Sequence, residues 1–200
     1  MEGETRIGVF GGTFDPFHIG HLVAAQDVLE ALELERVLFI PAGTPPHKKD
    51  GVYAPARVRF RMVSRAVESD PRFQADDLEV LRDGPSYTAD TLARLAEREA
   101  GAQLHLIMGV DQWASFGSWK EPMEVARLAR IVVMSREGEE ASRVEPELTG
   151  AEPPSVRSIP VTRMDLSSTG IRERVARGLS IRYLVPEPVR RIIETEEWYR

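Results

Sequence analysis

Cysteine is absent from the 200 residues, and so is asparagine. Without cysteine there are no disulfides, no thiolate metal sites and no cysteine nucleophile. Four histidines leave little material for a histidine-rich metal cage, so any metal is expected to arrive with a substrate. Of the 26 basic residues only Lys48, Lys49 and Lys120 are lysines, a bias that a thermophilic source and genome base composition explain equally well. No apolar run is long enough to cross a bilayer. The start, Met1-Glu2-Gly3-Glu4-Thr5-Arg6, lacks a basic region followed by an apolar one, so a cytoplasmic location is expected. A formal net charge of −6 argues against broad binding to DNA, RNA or anionic lipid, which are held largely by an excess of Lys and Arg. Neither a nucleic-acid nor a membrane partner is expected, and a homo-oligomer is compatible with the sequence. A small polyanionic ligand needs only a local basic pocket.

What is present suits one compact domain over residues 1–200, with 42% hydrophobic residues to fill its core. Runs rich in branched residues sit at Ile7 to Phe10, Val37 to Ile40, Leu104 to Met108 and Ile131 to Met134. Helix-like periodicity covers His18 to Leu34, Ala56 to Ser69, Thr88 to Glu99, Met123 to Leu128, Thr169 to Arg177 and Pro188 to Thr195. Short continuous apolar runs read as strands buried on both faces. The expectation is therefore an α/β fold of the Rossmann-like, doubly wound kind: a mostly parallel sheet with helices on both faces. Ligands of such sheets bind beyond the carboxyl ends of the strands, where the strand order reverses. Glu137 to Ser155 is charged, proline-bearing and without periodicity, and reads as a surface excursion.

Directly after the first expected strand comes Gly11-Gly12-Thr13-Phe14-Asp15-Pro16-Phe17-His18-Ile19-Gly20-His21, which opens into the periodic helix Leu22, Ala25, Val28, Leu29, Leu32. Two glycines at a strand end let the backbone pass close to a bulky anion. The following helix N-terminus supplies unpaired N–H groups and a positive dipole end. His18 and His21, three apart, can project toward the same phosphate, and Gly20 removes a side chain between them. A tight turn followed by two capping or core histidines is the plainer alternative. The full string resembles the signature of the nucleotidyltransferase superfamily. The His18-Ile19-Gly20-His21 portion also resembles class I aminoacyl-tRNA synthetases, but their lysine-rich second signature is missing.

A second signal is Asp165-Leu166-Ser167-Ser168-Thr169-Gly170-Ile171-Arg172. Hydroxyls before a helix either cap its free N–H groups or bind phosphate. Arg172, in the first turn counted from a Thr169 cap, opposes the helix dipole unless an anion also sits there. Together with the first loop, this string resembles the bacterial nicotinate-nucleotide adenylyltransferases. Three further segments agree with that resemblance: Pro41 to Lys48, Gly84 to Leu92, and Gly109-Val110-Asp111 with Trp119 eight residues on. So does Tyr183-Leu184-Val185-Pro186 before the last helix, and the likeness spans almost the whole chain.

The resemblance implies an enzyme of NAD biosynthesis in which the 5′-phosphate of nicotinate mononucleotide attacks the α-phosphate of ATP in line and expels pyrophosphate. It implies that His18, His21 and Arg172 are catalytic, the histidines on the reacting phosphates and Arg172 on the β and γ phosphates. It assigns ATP binding to Gly11, Gly12, Thr13, Phe14, Gly109, Asp111, Ser167, Ser168 and Thr169, with Asp111 on the ribose hydroxyls. For the mononucleotide it implies Trp119 stacked on the pyridine ring, Thr88 with neighbouring amides on its carboxylate, Tyr87 nearby, and His47 and Lys48 near the phosphates. Mg2+ would be carried by ATP, with no metal site built by the protein itself. Some relatives have an aromatic residue after the tryptophan where this chain has Lys120, which changes the packing and charge of that pocket.

The rivals are an adenylyltransferase for nicotinamide mononucleotide or another phosphorylated acceptor, a cytidylyltransferase, and a non-catalytic nucleotide sensor. Cytidylyltransferases usually show an Arg-Thr-x-Gly-Ile-Ser-Thr type string where this chain has Asp165 to Arg172. A sensor would be expected to have lost one of His18, His21 and Arg172.

Overall fold

The structure, a computed structural model, describes residues 5–45, 52–135, 154 and 156–200. The elements are β1 (Arg6–Gly12), α1 (Ile19–Leu32), β2 (Arg36–Pro41), α2 (Ala56–Val67), β3 (Phe73–Ala75), α3 (Thr88–Arg98), β4 (Gln103–Gly109), α4 (Val110–Ala114), α5 (Pro122–Leu128), β5 (Arg130–Ser135), β6 (Val156–Pro160), α6 (Ser168–Ala176) and α7 (Glu187–Thr195). A 3-10 turn, Phe116–Ser118, links α4 to α5.

The strands form one six-stranded parallel sheet in the order β3-β2-β1-β4-β5-β6. Phe10 pairs with Ile107, Ile107 with Val132, and Ile131 with Val156. The chain winds outward from β1 to β3, then starts again at β4 and winds the other way. Right-handed crossovers in opposite directions require helices on opposite faces, which is the doubly wound, Rossmann-like architecture expected. The order reverses at β1 and β4, and the strand ends there are glycine: Gly11-Gly12 and Gly109.

The four apolar runs became β1, β2, β4 and β5, and their buried side chains (Ile7, Val9, Phe10, Val37 to Ile40, Leu106 to Met108, Ile131 to Val133) explain the continuous hydrophobicity. The two edge strands gave no such signal. β3 is three residues long, and β6 exposes Arg157 and Pro160. Helix α1 stops at Leu32, two residues before the periodicity does. Glu33 takes a left-handed φ of 51°, the Leu34 N–H reaches back to the Leu29 carbonyl at 2.9 Å, and Arg6 Nη1 donates to the Leu32 carbonyl at 3.2 Å.

The chain divides into two compact units. One comprises Met1–Gly11, Ala24–Leu38 and Tyr87–Arg163, the other Gly12–Val23, Phe39–Ser86 and Met164–Arg200. Within the second, α2 and β3 pack together, α2 meets α7, and Ala54, Met62, Ile171, Ile181, Val185, Val189, Ile193 and Tyr199 form a buried apolar cluster. Within the first, α3 meets α5, and α4 leans on β4 and β5. The stretch Glu137 to Ser155 lies outside the described residues apart from Pro154.

Candidate active site

The loop after β1 is shaped by aromatic packing. Phe14 adopts a left-handed φ of 51°, a conformation that costs a bulky residue about 1–2 kcal/mol. Its ring offsets that cost by packing edge-on to Phe17 at 5.3 Å, His21 at 5.0 Å and Phe39 at 6.0 Å. The same ring folds over Gly12, where an added Cβ would lie 2.7 Å from it, so a side chain at position 12 would have to displace the Phe14 ring. Among the described residues nothing lies within 4 Å of where a Cβ on Gly11 would be.

His18 and His21 meet as expected from their spacing. Their rings stack with centroids 3.6 Å apart, and the Phe17 ring also stacks on His21 at 5.1 Å. The backbone N–H of His18 donates to Nδ1 of His21 at 3.1 Å. Burial holds the His18 imidazole down to about 4, and burial together with the His18 charge keeps His21 well below its ordinary value. Both rings are therefore neutral at pH 7. Nδ1 of His18 is buried and has no partner among the described residues. A Cβ on Gly20 would sit 3.1 Å from that atom, so this glycine gives the His18 ring its room.

The second signal folds onto the first. Ser167, rather than Thr169, is the N-cap of α6: its hydroxyl accepts from the Gly170 N–H at 3.1 Å, and the helix begins one residue earlier than its periodicity implied. Ser168 is thereby turned to donate to the Pro16 carbonyl at 2.8 Å. Thr169 is freed to accept from Arg172 Nη2 at 3.1 Å. Arg172 Nη1 donates to the Asp15 carbonyl at 2.7 Å, and its guanidinium lies 4.3 Å above the Tyr53 ring. The hydroxyl string, Arg172 and the loop bearing His18 thus form one assembly.

Sequence reasoning missed what holds that assembly. Arg59 is fully buried in α2 and spends its donors on backbone oxygens: Nε on Ala54 at 3.0 Å, Nη1 on Thr13 at 2.6 Å, and Nη2 on Ala42 at 2.6 Å and Gly43 at 3.2 Å. It ties the loops after β1 and β2 together. Gly43 is required because a Cβ there would lie 2.2 Å from the Glu79 carbonyl. The Ser86 hydroxyl accepts from the N–H groups of Gly43 and Thr44 at 3.0 and 3.2 Å. An arginine among other arginines of a helix carries no sequence mark of such a role.

Tyr87, Thr88 and Trp119 lie in the other unit. Tyr87 is the N-cap residue of α3 without a side-chain cap, and Thr88 is the first helical residue. Trp119 follows the 3-10 turn, half-buried, 5.5 Å from the Phe116 ring. Lys120 joins the two segments: its Nζ bonds Asp90 Oδ1 at 2.9 Å and lies 5.0 Å from the Tyr87 ring centroid. Gly109 caps α4 and Asp111 stands exposed in its first turn. His47 and Lys48 lie outside the described residues. No group of three or more potential metal-ligating side chains occurs among the described residues, and no helix among them is long and apolar enough to cross a membrane.

Comparison with known proteins decides the family. The profile of the family described as cytidylyltransferase-like matches residues 9–174. A protein of Rubrobacter xylanophilus named "probable nicotinate-nucleotide adenylyltransferase" is 43% identical over 98% of this chain and 92% of its own length. A protein of the same name from Leifsonia xyli is 42% identical over 100% and 96%. The chain belongs to the nicotinate-nucleotide adenylyltransferase family. Its fold agrees with that membership. The nicotinic acid mononucleotide adenylyltransferase of Plasmodium falciparum complexed with NaAD superposes with a TM-score of 0.77 at 15% identity, over 98% of this chain and 97% of that one. The same enzyme complexed with APC gives 0.75 at 14% identity over the same shares. In this member of the adenylyltransferase family, the loop after β1, the paired imidazoles and the start of α6 all fall within the matched residues 9–174.

Proposed function

We propose that the chain transfers the adenylyl group of ATP to nicotinate mononucleotide, giving nicotinate adenine dinucleotide and pyrophosphate. The observation that carries this reading is the convergence of two neutral, stacked imidazoles and an oriented guanidinium on one glycine-bearing loop. Nothing in that set pairs a nucleophile with a base. It supplies donors and charge to phosphates that react with one another directly, which is how phosphoryl and nucleotidyl transfer is catalysed by positioning. The relatives' names support the choice of acceptor.

His21 accepts at Nδ1, so its neutral ring carries the proton on Nε2, an N–H of the kind a phosphate oxygen accepts. Charge accumulating on the α-phosphate and on the departing pyrophosphate would be met by His18, His21, the amides of Gly11 to Phe14 and the helix dipole of α1. Arg172, with Nη1 on Asp15 and Nη2 on Thr169, has donors left for the β and γ phosphates, assisted by Ser167 to Thr169. Gly109 and Asp111 would receive the adenosine, and Tyr87, Thr88, Trp119, His47 and Lys48 the mononucleotide. Mg2+ carried by ATP would shield its phosphate charge. The acceptor's 5′-phosphate oxygen forms the new P–O bond as the α–β bond breaks, and pyrophosphate carries away the electron pair.

The test is a single incubation with ATP, Mg2+ and nicotinate mononucleotide. The reading expects equal amounts of pyrophosphate and nicotinate adenine dinucleotide, identified by mass. Pyrophosphate appearing only with a different acceptor, or not at all, overturns it.

A further inference from the structure

Asp15 sits in the first loop with 2% of its surface exposed. A carboxylate so buried costs several kcal/mol unless its lone pairs are met. Here they are met by three donors: the N–H of Tyr53 to Oδ2 at 2.8 Å, the N–H of Ala54 to Oδ1 at 3.2 Å, and the hydroxyl of Tyr199 to Oδ1 at 2.7 Å. Tyr199 is itself buried, in the apolar cluster of α2, α6 and α7. Its hydroxyl is pushed far above the ordinary tyrosine value, first by burial and then by the Asp15 charge, so it stays a donor at every working pH.

Asp15, which accepts from the Tyr199 hydroxyl, and Tyr53, whose N–H donates to the same carboxylate, also hold Arg172. The backbone carbonyl of Asp15 takes Nη1, and the ring of Tyr53, whose N–H is fixed on Oδ2, lies 4.3 Å beneath the guanidinium. Packing alone would be satisfied by phenylalanine at position 199. A hydroxyl aimed at the Asp15 carboxylate has a further effect, because it fixes the group from which both supports of Arg172 hang. We propose that the buried Tyr199–Asp15 pair positions Arg172, which makes Tyr199 a positioning residue of the adenylyl-transfer site. The proposal rests on the function given above. A rigid guanidinium fork displaced by about 1 Å misses the phosphate oxygens that its donors are aimed at, and misplacement on that scale costs catalysis heavily.

The experiment is a double-mutant cycle. kcat, and KM for ATP and for nicotinate mononucleotide, are measured for Tyr199→Phe, Arg172→Ala and the double variant, with folding checked by circular dichroism. Tyr199→Phe is expected to lower kcat about tenfold, to leave KM for the mononucleotide within about twofold, and to cost nothing further in the Arg172→Ala background. A kcat within about twofold of wild type overturns the proposal, and so does a loss that multiplies with that of Arg172→Ala. A wild type silent with this substrate pair overturns the functional reading and the proposal with it; an active wild type beside an unaffected Tyr199→Phe overturns the proposal alone. If Tyr199→Phe does not fold, Asp15→Asn, which turns an N–H toward that of Tyr53, takes its place in the same cycle. Failure of both to fold assigns the pair to stability and overturns the positioning role.

Discussion

The Nδ1 atom of His21 accepts a hydrogen bond from the backbone N–H of His18 at 3.1 Å while the two rings lie stacked 3.6 Å apart. One hydrogen bond thereby fixes both the tautomer of His21 and the direction of its Nε2–H, which a solvent-exposed imidazole would leave free.

His21→Ala should therefore lower kcat by about 10^2-fold to 10^3-fold, the usual loss when one oriented donor is removed from developing charge. The fold should be retained, since Phe14 and Phe17 still pack on each other at 5.3 Å. Turnover within about threefold of wild type in folded protein removes His21 from the mechanism.

The pH dependence of stability follows from the same burial. His18 and His105 are each held down to about 4, His18 by burial, and His105 by burial and then by Arg130, Arg6 and Arg157. Because their folded values lie below 6.5, the unfolded chain binds more protons between pH 6.5 and 4. The stability these groups confer is complete above 6.5 and is lost as pH falls toward 4, with roughly 3 kcal/mol at stake for His18. His105→Leu also removes a buried Nδ1 that lacks a partner among the described residues. The variant should raise Tm at pH 5 relative to wild type, at about 2–4 °C per kcal/mol, and change it less at pH 8. Parallel Tm curves for the two proteins across that range contradict the assignment.

Part of this arrangement was legible in the sequence because histidine is scarce, four in 200 residues, and its spacing beside glycine and proline is informative. Gly11 to His21 and Ser167 to Arg172 stood out as two segments of one site, and the structure brings them together through Ser168 on the Pro16 carbonyl and Arg172 on the Asp15 carbonyl. What supports those groups was not legible. Asp15 lay inside the string without a role, because a carboxylate's value there depends on Tyr53, Ala54 and Tyr199, at 38, 39 and 184 residues' distance. Arg59 looked like any polar position of an arginine-rich helix. The edge strands β3 and β6 escaped for a simpler reason: with one face or end in solvent, they carry no continuous apolar run.

Arg59→Met tests the hidden support. Methionine fills similar space but leaves the carbonyls of Thr13, Ala42, Gly43 and Ala54 without their donor and Asp15 without its neighbouring cation. A loss of about 3–5 kcal/mol in denaturant unfolding is expected, as for other buried charges stripped of one partner. A loss below about 1 kcal/mol would mean that water replaces the guanidinium at little cost.

Trp119→Ala separates the two substrates. In the proposed function Trp119 would stack on the pyridine ring and not on the triphosphate, so KM for nicotinate mononucleotide should rise about tenfold, and that for ATP by less than about twofold. Equal increases would place Trp119 outside the mononucleotide pocket.

The most direct measurement of the central claim is kcat/KM for pyrophosphate release with nicotinate mononucleotide and with nicotinamide mononucleotide, side by side, at fixed ATP and Mg2+. The two acceptors differ only by a carboxylate against an amide. If the proposed acceptor site lies at the N–H groups of the start of α3, with Lys120 beside Tyr87, it should favour the carboxylate by at least about tenfold. Equal values, or a preference for the amide, would contradict the account.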